Sequence, residues 1–362
     1  MKKILILANH AVGLLNFRSE LLQELDNEKY EVHISVPSHK AFEMVKDKKY
    51  VIHDTNVDRR GINPVKDFRL LLNYIRLIKK IKPDTVLLYT IKPNIYGGLA
   101  CRILKVKYIS TITGLGTSMQ STSKLANVLK QLYKISLKKA NTVVFQNLGN
   151  RDFFVESSIV DIESTMLVPG SGVNIEKYKE LDINFEGDAI FTFIGRVMKD
   201  KGIDEFLSAA TKLKRENSNL RFQIIGFFES DEYKKKVNDL LELNIIEYLG
   251  ESSDTRTEMS KTQCIVLPSY HEGMSNVLLE GAASGLPLIT TDINGCKESV
   301  DEGYNGYLVN KADEVELYNA MKKFSELSKS EKELMGKNSL AKMKNEFDRS
   351  IVVSKYMDKI KR

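Results

Sequence analysis

The chain has no tryptophan, only three cysteines, seven prolines and five histidines in 362 residues. Cys101, Cys264 and Cys296 are odd in number and far apart. They form neither a disulfide framework nor a metal-ligand spacing, so a reducing cytoplasm is the default compartment. Proline and glycine are too sparse for a fibre or a disordered linker protein. No apolar run nears the ~20 residues that cross a bilayer, so no integral membrane segment is expected. The start, Met1-Lys2-Lys3, leads into a short apolar run, Ile4 to Ala8, before Asn9 and His10. That run is too short for a secretory leader and reads as the first buried strand. No short-period repeat or low-complexity tract appears.

What is present is an ordinary globular composition, 42% hydrophobic and 28% charged, at a length that allows about two domains. Charge is unevenly placed. Residues 1–170 carry 26 Lys and Arg against 15 Asp and Glu, a net of +11, whereas residues 171–362 carry 28 against 33, a net of −5. A basic half suits an anionic partner: nucleic acid, a lipid surface or a phosphorylated substrate. It also suits a lysine-rich surface with no specific partner. No nucleic-acid recognition motif accompanies the charge, so no nucleic acid is expected.

Short runs rich in isoleucine, valine and leucine alternate with helical stretches. In the first half they are Ile4–Ala8, Tyr30–Pro37, Tyr50–Asp54, Thr85–Thr90, Tyr108–Thr113 and Thr142–Gln146. In the second they are Ala189–Gly195, Leu220–Gly226, Ile245–Gly250, Gln263–Pro268, Pro287–Thr291 and Gly306–Val309. Near-continuous apolar runs of this length fit parallel strands buried on both faces, and the alternation makes each half a doubly wound α/β sheet. A linker is expected near Val168-Pro169-Gly170-Ser171-Gly172-Val173-Asn174, separating a domain 1–170 from a domain 171–346. Phe347–Arg362 reads as a last helix. Ligands of such sheets sit beyond the carboxyl ends of the strands, so two facing sheets lead us to expect a cleft between the domains.

Two loops in the second half carry candidate chemistry. Phe193-Ile194-Gly195-Arg196 ends one strand, and Lys201-Gly202 precedes the helix beginning at Asp204-Glu205. Gly195 allows a close turn, and Arg196 and Lys201 can hold a diphosphate, the first by a forked contact and the second as a point charge. The second loop, His271-Glu272-Gly273-Met274-Ser275-Asn276-Val277, follows the strand Gln263–Pro268. Ser275 or Asn276 can cap the helix that begins there. The backbone N–H groups of Gly273 to Asn276 would then form an anion site at its positive end. Glu272 can reach a sugar hydroxyl, and Glu280 can accept two bonds from a vicinal diol. The blander alternative is a first-turn carboxylate and a solvated helix glutamate.

In combination, Gly195-Arg196, Lys201-Gly202, Pro268-Ser269, Glu272-Gly273, Glu280, Ala283-Ser284-Gly285-Leu286-Pro287 and Asn305-Gly306 resemble the retaining glycosyltransferases of family 4, over nearly the whole chain. Gly172-Val173-Asn174 is similar to that family's interdomain segment. The resemblance implies the GT-B fold, two facing Rossmann-like domains with an interdomain cleft. The first domain would bind acceptor and face the membrane, the second would bind a nucleotide-sugar, and the last helix, 347–362, would cross back to the first domain. It implies Arg196 and Lys201 on the donor diphosphate and Glu272 on the transferred sugar. Gly195, Gly273, Met274, Ser275, Asn276 and Val277 would line the donor, Glu280 would hold the ribose, and Tyr248-Leu249-Gly250 would lie near the base. The donor would be a UDP-sugar, bound without a metal or other cofactor; no Asp-x-Asp occurs in the chain.

Asn16-Phe17-Arg18, Tyr89 to Gly97, and Ile112-Thr113-Gly114-Leu115-Gly116 resemble a bacterial subgroup that builds capsule, O-antigen or lipid-linked oligosaccharides. It includes enzymes that add N-acetylgalactosamine to an undecaprenyl-diphosphate sugar. The resemblance implies a lipid-linked saccharide acceptor, with Arg18 and Lys92 able to meet its diphosphate; the alternative for each is an exposed cation. Thr113 stands where many family members carry a sugar-binding histidine. It can donate a bond but cannot act as general base, which leaves a front-face route in which the departing phosphate takes the acceptor proton. His10 can line the cleft or serve structure alone.

Two stretches, Asn63–Lys82 and Lys124–Lys139, place apolar residues at helical spacing among lysines and arginines. In the first, Val65, Phe68, Leu71, Leu72, Ile75 and Ile78 form the stripe. Each stretch fits either a helix on the anionic inner face of the cell membrane or a helix packed on its sheet. Two other functions use a similar grip on a sugar nucleotide: a UDP-sugar 2-epimerase, and a non-catalytic nucleotide-sugar sensor at the membrane.

Overall fold

Stretches of β-branched and leucine side chains form strands where their apolar faces can be covered, and all twelve expected runs contain a strand. A computed structural model of the chain describes residues 1–37, 50–58, 61, 63–114, 119, 123–178, 181–252 and 254–362. Leu115 and Gly116 of the acceptor-side motif lie outside the described residues. The chain divides into one unit of Met1–Ser171 with Ser350–Arg362, and a second of Gly172–Arg349.

Among the described residues the first unit holds seven parallel strands: β1 (Lys3–Leu7), β2 (Glu31–Val36), β3 (Val51–Asp54), β4 (Thr85–Tyr89), β5 (Tyr108–Ile112), β6 (Thr142–Phe145) and β7 (Thr165–Leu167). Their order is β3-β2-β1-β4-β5-β6-β7. Alternate residues of the central strands enter opposite cores. Ile4, Ile6, Leu87 and Tyr89 pack under the helices Ala11–Asn27 and Arg349–Lys361, whereas Leu5, Leu7, Val86 and Leu88 pack under Pro64–Ile81 and Gly98–Leu104. The second unit holds β8 (Ile190–Ile194), β9 (Arg221–Ile225), β10 (Glu247–Tyr248), β11 (Cys264–Leu267), β12 (Leu288–Thr291) and β13 (Gly306–Val309), in the parallel order β10-β9-β8-β11-β12-β13. Phe191, Phe193, Phe206, Phe222 and Phe324 fill its centre, with the Phe191 and Phe222 rings stacked at 5.7 Å.

Edge strands depart from the expected burial. Val51 and Ile52 of β3 are exposed, and β10 is only two residues long, because an edge strand has one neighbour and needs less apolar cover. β7 is a strand the periodicity does not announce: Thr165-Met166-Leu167 is short and half-buried. The unit boundary falls one residue beyond the expected one, between Ser171 and Gly172.

The expected helix Phe347–Arg362 begins instead at Arg349. Phe347 closes the preceding helical segment and Asp348 is extended, because the backbone there pairs with the linker: Val173 N–H donates to the Phe347 carbonyl at 2.8 Å, and Arg349 N–H to the Val173 carbonyl at 3.0 Å. Gly172 has φ +65°, and a Cβ there would stand 2.6 Å from the Arg349 Cα. Only glycine permits that approach. The last helix then buries Val352, Tyr356, Met357 and Ile360 in the first unit's core, and Tyr356 bonds Thr111 through their hydroxyls at 2.7 Å.

Each sheet has one position at which chain order reverses, between β1 and β4 in the first unit and between β8 and β11 in the second. A doubly wound sheet opens a crevice beyond the strand ends at that position.

Candidate functional site

In the second unit the loops at the reversal are those after β8 and β11, the two that carry Arg196, Lys201 and Glu272. Gly195 follows β8, and its N–H donates to the Ile225 carbonyl at 2.9 Å. The chain then makes a tight helical turn, Lys199–Lys201, closed by Gly202 at φ +73°. Helix Ile203–Glu216 follows. A Cβ on Gly202 would stand 2.0 Å from the Pro268 carbonyl oxygen, so this turn lies directly on the end of β11.

That closeness brings Lys201 to Glu272: the ammonium donates to Oε1, with side chains 24% and 12% exposed. Ser269 donates to the same oxygen at 2.9 Å. Arg196 sits apart from this pair. Its guanidinium lies 3.3 Å from Glu229 Oε2 and stands over the Phe227 ring at 5.6 Å. An ion pair this solvated is weakly held and can be exchanged for another anion.

The helix Asn276–Ala283 starts behind Glu272, and Ser275 occupies its cap position. The expected capping bond is absent: the Ser275 side chain makes none, and the Asn276 Oδ1 is buried without a partner among the described residues. The expected row of inward N–H groups is also broken, because Ser275 N–H donates to the Gly295 carbonyl at 2.8 Å. The N–H groups of Asn276 and Val277, in the first turn, have no intrahelical acceptor and keep the helix's positive end available. Met274 contributes its side chain to the core.

Glu280 is half-buried, which corrects the reading of a solvated glutamate. Burial pushes its carboxyl above the usual 4.5, against the opposing pull of a Tyr178 hydrogen bond and the charges of Lys177 and Arg349. Such a group holds its proton more tightly folded than unfolded, so the folded state loses stability as pH rises from 4.5 through the raised value. Glu280→Gln therefore melts higher than the wild type at pH 7–8, and the difference shrinks below pH 4.5. Thermal melts across that range check it, and an unchanged difference at all pH values counts against it. Gly250, at φ +81°, accepts from Gly226 N–H at 2.9 Å, and Tyr248 donates to the Gly226 carbonyl at 2.8 Å, so the segment expected near the base lies beyond β9 and β10.

Three groups at this end of the sheet escaped the sequence reading. Gly295 presses on the Glu272 backbone, where a Cβ would meet the carbonyl oxygen at 2.8 Å, and its own N–H donates to Glu298 at 2.7 Å. Burial pushes the Glu298 carboxyl up. The Asn294-Gly295 turn, with an acid three residues on, was the available signal. Tyr270 reaches Glu205. Several quoted motif residues prove architectural: the fully buried Asn305 bonds Ser299 and Asp301, and a Cβ on Gly306 would meet the Leu288 carbonyl at 2.0 Å.

In the first unit the reversal lies between the loops after β1 and β4. Thr90 there has φ +72°, unusual for a β-branched residue. Neither proposed cation is exposed. Arg18 is 5% exposed, over the rings of Tyr89 (5.1 Å) and Tyr356 (5.9 Å), and donates to the Phe17 carbonyl at 2.8 Å. Gln146, turned so that its oxygen accepts from Arg18 at 3.3 Å, donates to the Thr113 carbonyl at 3.3 Å. Lys92 is paired with Asp67 at 2.6 Å, and Tyr96 donates to the same carboxylate at 3.0 Å. His10 caps helix Ala11–Asn27, its Nδ1 accepting from Gly13 N–H.

Helix Pro64–Ile81 buries Leu70, Tyr74, Ile78 and Ile81, so of the expected stripe only Ile78 is buried, and Val65 and Phe68 are each 60% exposed. Helix Lys124–Leu137 buries Ala126, Tyr133, Ser136 and Leu137 and exposes Val128 and Ile135. No described helix is long and apolar enough to cross a membrane. A cavity of about 830 Å³ at the amino end of β5 is lined by Arg102, Lys105, Lys107 and Lys139. Arg102 donates to the Ile135 carbonyl and Lys107 to those of Lys359 and Ile360, so two of these cations complement helix ends.

The chain thus has two parallel α/β units, with cations and carboxylates gathered where the second sheet reverses. The family model described as glycosyl transferases group 1 matches residues 188–326, and that described as glycosyl transferase 4-like matches residues 3–147. Together these matches take in most of the chain, which belongs to the group 1 and 4-like glycosyltransferases. The chain is 26% identical over 321 residues, 84% of each chain, to the N,N'-diacetylbacillosaminyl-diphospho-undecaprenol alpha-1,3-N-acetylgalactosaminyltransferase of Campylobacter jejuni. It is 26% identical, over 81% of its length and 80% of the relative's, to the capsular polysaccharide biosynthesis glycosyltransferase CapM of Staphylococcus aureus. A glycosyltransferase of Rickettsia africae superimposes with TM-score 0.82 at 18% identity, over 99% of this chain and 98% of that one. HepE of Anabaena, solved with UDP, gives 0.81 at 15% identity over the full length of both.

Proposed function

We propose that the enzyme moves a hexose or N-acetylhexosamine, with retention and without a metal, from a UDP-sugar to an undecaprenyl-diphosphate-linked saccharide in surface-glycan synthesis. The observation that carries this reading is the Lys201–Glu272 pair at the reversal of the second sheet. The Lys201 ammonium has three donors and spends one on Glu272, so the others are free for phosphate oxygens. Arg196 adds a second cation, and the Asn276–Ala283 helix start adds a dipole. These groups meet charge as it develops on the departing diphosphate, and Glu272 and Glu280 bond hydroxyls of the sugar and the ribose. With no protein base assigned, the acceptor proton passes to the leaving phosphate. The acceptor class follows from the undecaprenol-linked substrates named for the Campylobacter relative.

The test is a panel of UDP- and GDP-sugars, incubated with and without a lipid-diphosphate saccharide, scored for release of nucleoside diphosphate. Acceptor-dependent release of UDP is expected. Acceptor-independent conversion of a UDP-sugar into its epimer would mark an epimerase, and binding with no consumption of donor would mark a sensor.

The exposed Val65 and Phe68, flanked by Lys66 and Arg69, support a further part of the reading, attachment to the anionic inner face of the membrane. The enzyme should sediment with anionic vesicles and be released by salt. Partition that does not change with ionic strength would remove this part while leaving the transferase reading intact.

A further inference from the structure

Lys201 is placed by a three-residue turn closed by a left-handed glycine, with two backbone bonds of its own, Lys201 N–H to the Met198 carbonyl at 3.1 Å and Gly202 N–H to the Lys199 carbonyl at 2.8 Å. Further bonds that tie the turn and the helix after it to the neighbouring loop come from one residue of that loop. Tyr270 N–H donates to the Asp200 carbonyl at 2.8 Å, immediately before Lys201. The Tyr270 hydroxyl donates to Glu205 Oε1 at 2.5 Å, in the first turn of the helix immediately after it. The other Glu205 oxygen, Oε2, is buried with no partner among the described residues. This carboxylate therefore depends on the tyrosine, since a buried carboxylate oxygen without a donor is costly. The loop that carries Tyr270 is itself anchored, Thr291 donating to the Ser269 carbonyl at 2.5 Å. Tyr270 thus grips the chain on both sides of Lys201 from a rigid strand end, while Ser269 and Lys201 converge on Glu272 from either side.

We propose that Tyr270 is a positioning residue for Lys201, its hydroxyl and backbone N–H together holding the turn from which Lys201 reaches the donor diphosphate. This rests on the donor-site reading above. Tyr270 does not touch the donor. It acts through the lysine, so its contribution disappears when the lysine is removed.

The test is a double-mutant cycle on the full chain, read as UDP affinity by calorimetry and as donor KM and kcat. Tyr270→Phe should weaken UDP binding about tenfold and raise KM by a similar factor, with kcat within about threefold of the wild type. In a Lys201→Ala background the same change should add less than about twofold. Glu205→Ala should reproduce the loss, and it replaces Tyr270→Phe in the cycle if that variant fails to fold. Glu205→Gln, which keeps an acceptor for the hydroxyl, should restore near wild-type affinity.

Equal losses in both backgrounds would show a merely structural tyrosine and overturn the proposal, as would an unchanged UDP affinity in Tyr270→Phe. Lys201→Ala with wild-type UDP affinity would overturn the donor-site reading and the proposal with it. That outcome is distinguishable, because it appears in the single lysine variant alone.

Discussion

Lys201→Ala is expected to lower kcat/KM for the donor by about 10²–10³, the cost of removing one charge aimed at a developing anion in a partly desolvated site. Two losses combine in this variant. The diphosphate forfeits a cation, and the Glu272 side chain, only 12% exposed, keeps the Ser269 hydroxyl bond but loses its counter-charge. A carboxylate so stranded repels the phosphates that approach it. Arg196→Ala should cost less, because its guanidinium is about a third exposed and its ion pair with Glu229 is already exchangeable with solvent. Steady-state kinetics on both variants decide the ranking. Wild-type kcat/KM in both would remove the two cations from the chemistry.

Gly202→Ala should destabilise the second unit by about 2–4 kcal/mol, in the range of severe backbone and packing errors. Two causes are present and can be separated. The residue has φ +73°, which an alanine adopts only with strain, and its new Cβ would lie 2.0 Å from the Pro268 carbonyl oxygen. Gly303 has the same φ of +73° but nothing within 4 Å of its Cβ position. Gly303→Ala therefore measures strain alone, about 1 kcal/mol. The excess in Gly202→Ala reports the contact between the Lys201 turn and β11. Chemical denaturation of the two variants gives the comparison. Equal losses would mean that the turn yields without cost and that the contact contributes nothing.

Much of the candidate donor site was legible because its residues announce themselves at strand ends. A glycine, two cations, and two acids eight positions apart each follow an apolar run in the second half. The strand ends were readable because buried parallel strands are nearly pure isoleucine, valine and leucine. Legibility failed where a neighbour, rather than the local pattern, decides. β7 is an edge strand held by one partner, too short to show a period. Arg18 lies on the buried stripe of its helix with Leu14, Leu21, Leu22 and Leu25, at a spacing that placed it inward, yet its charge suggested the surface. Two tyrosine rings supply the shelter that makes the exception possible.

The amino-acid order by itself determined the doubly wound class, the two-part division and the position of most strands, because these follow from hydrophobic period and from glycine and proline punctuation. It also set which residue types stand at the strand ends. Tertiary structure alone decided the partnerships: Lys201 with Glu272, Tyr270 with Glu205, Lys92 with Asp67, and Tyr356 with Thr111. Those pairs join residues up to 245 positions apart. Their distances are fixed by the order in which parallel strands lie side by side, and no local pattern in the chain encodes that order.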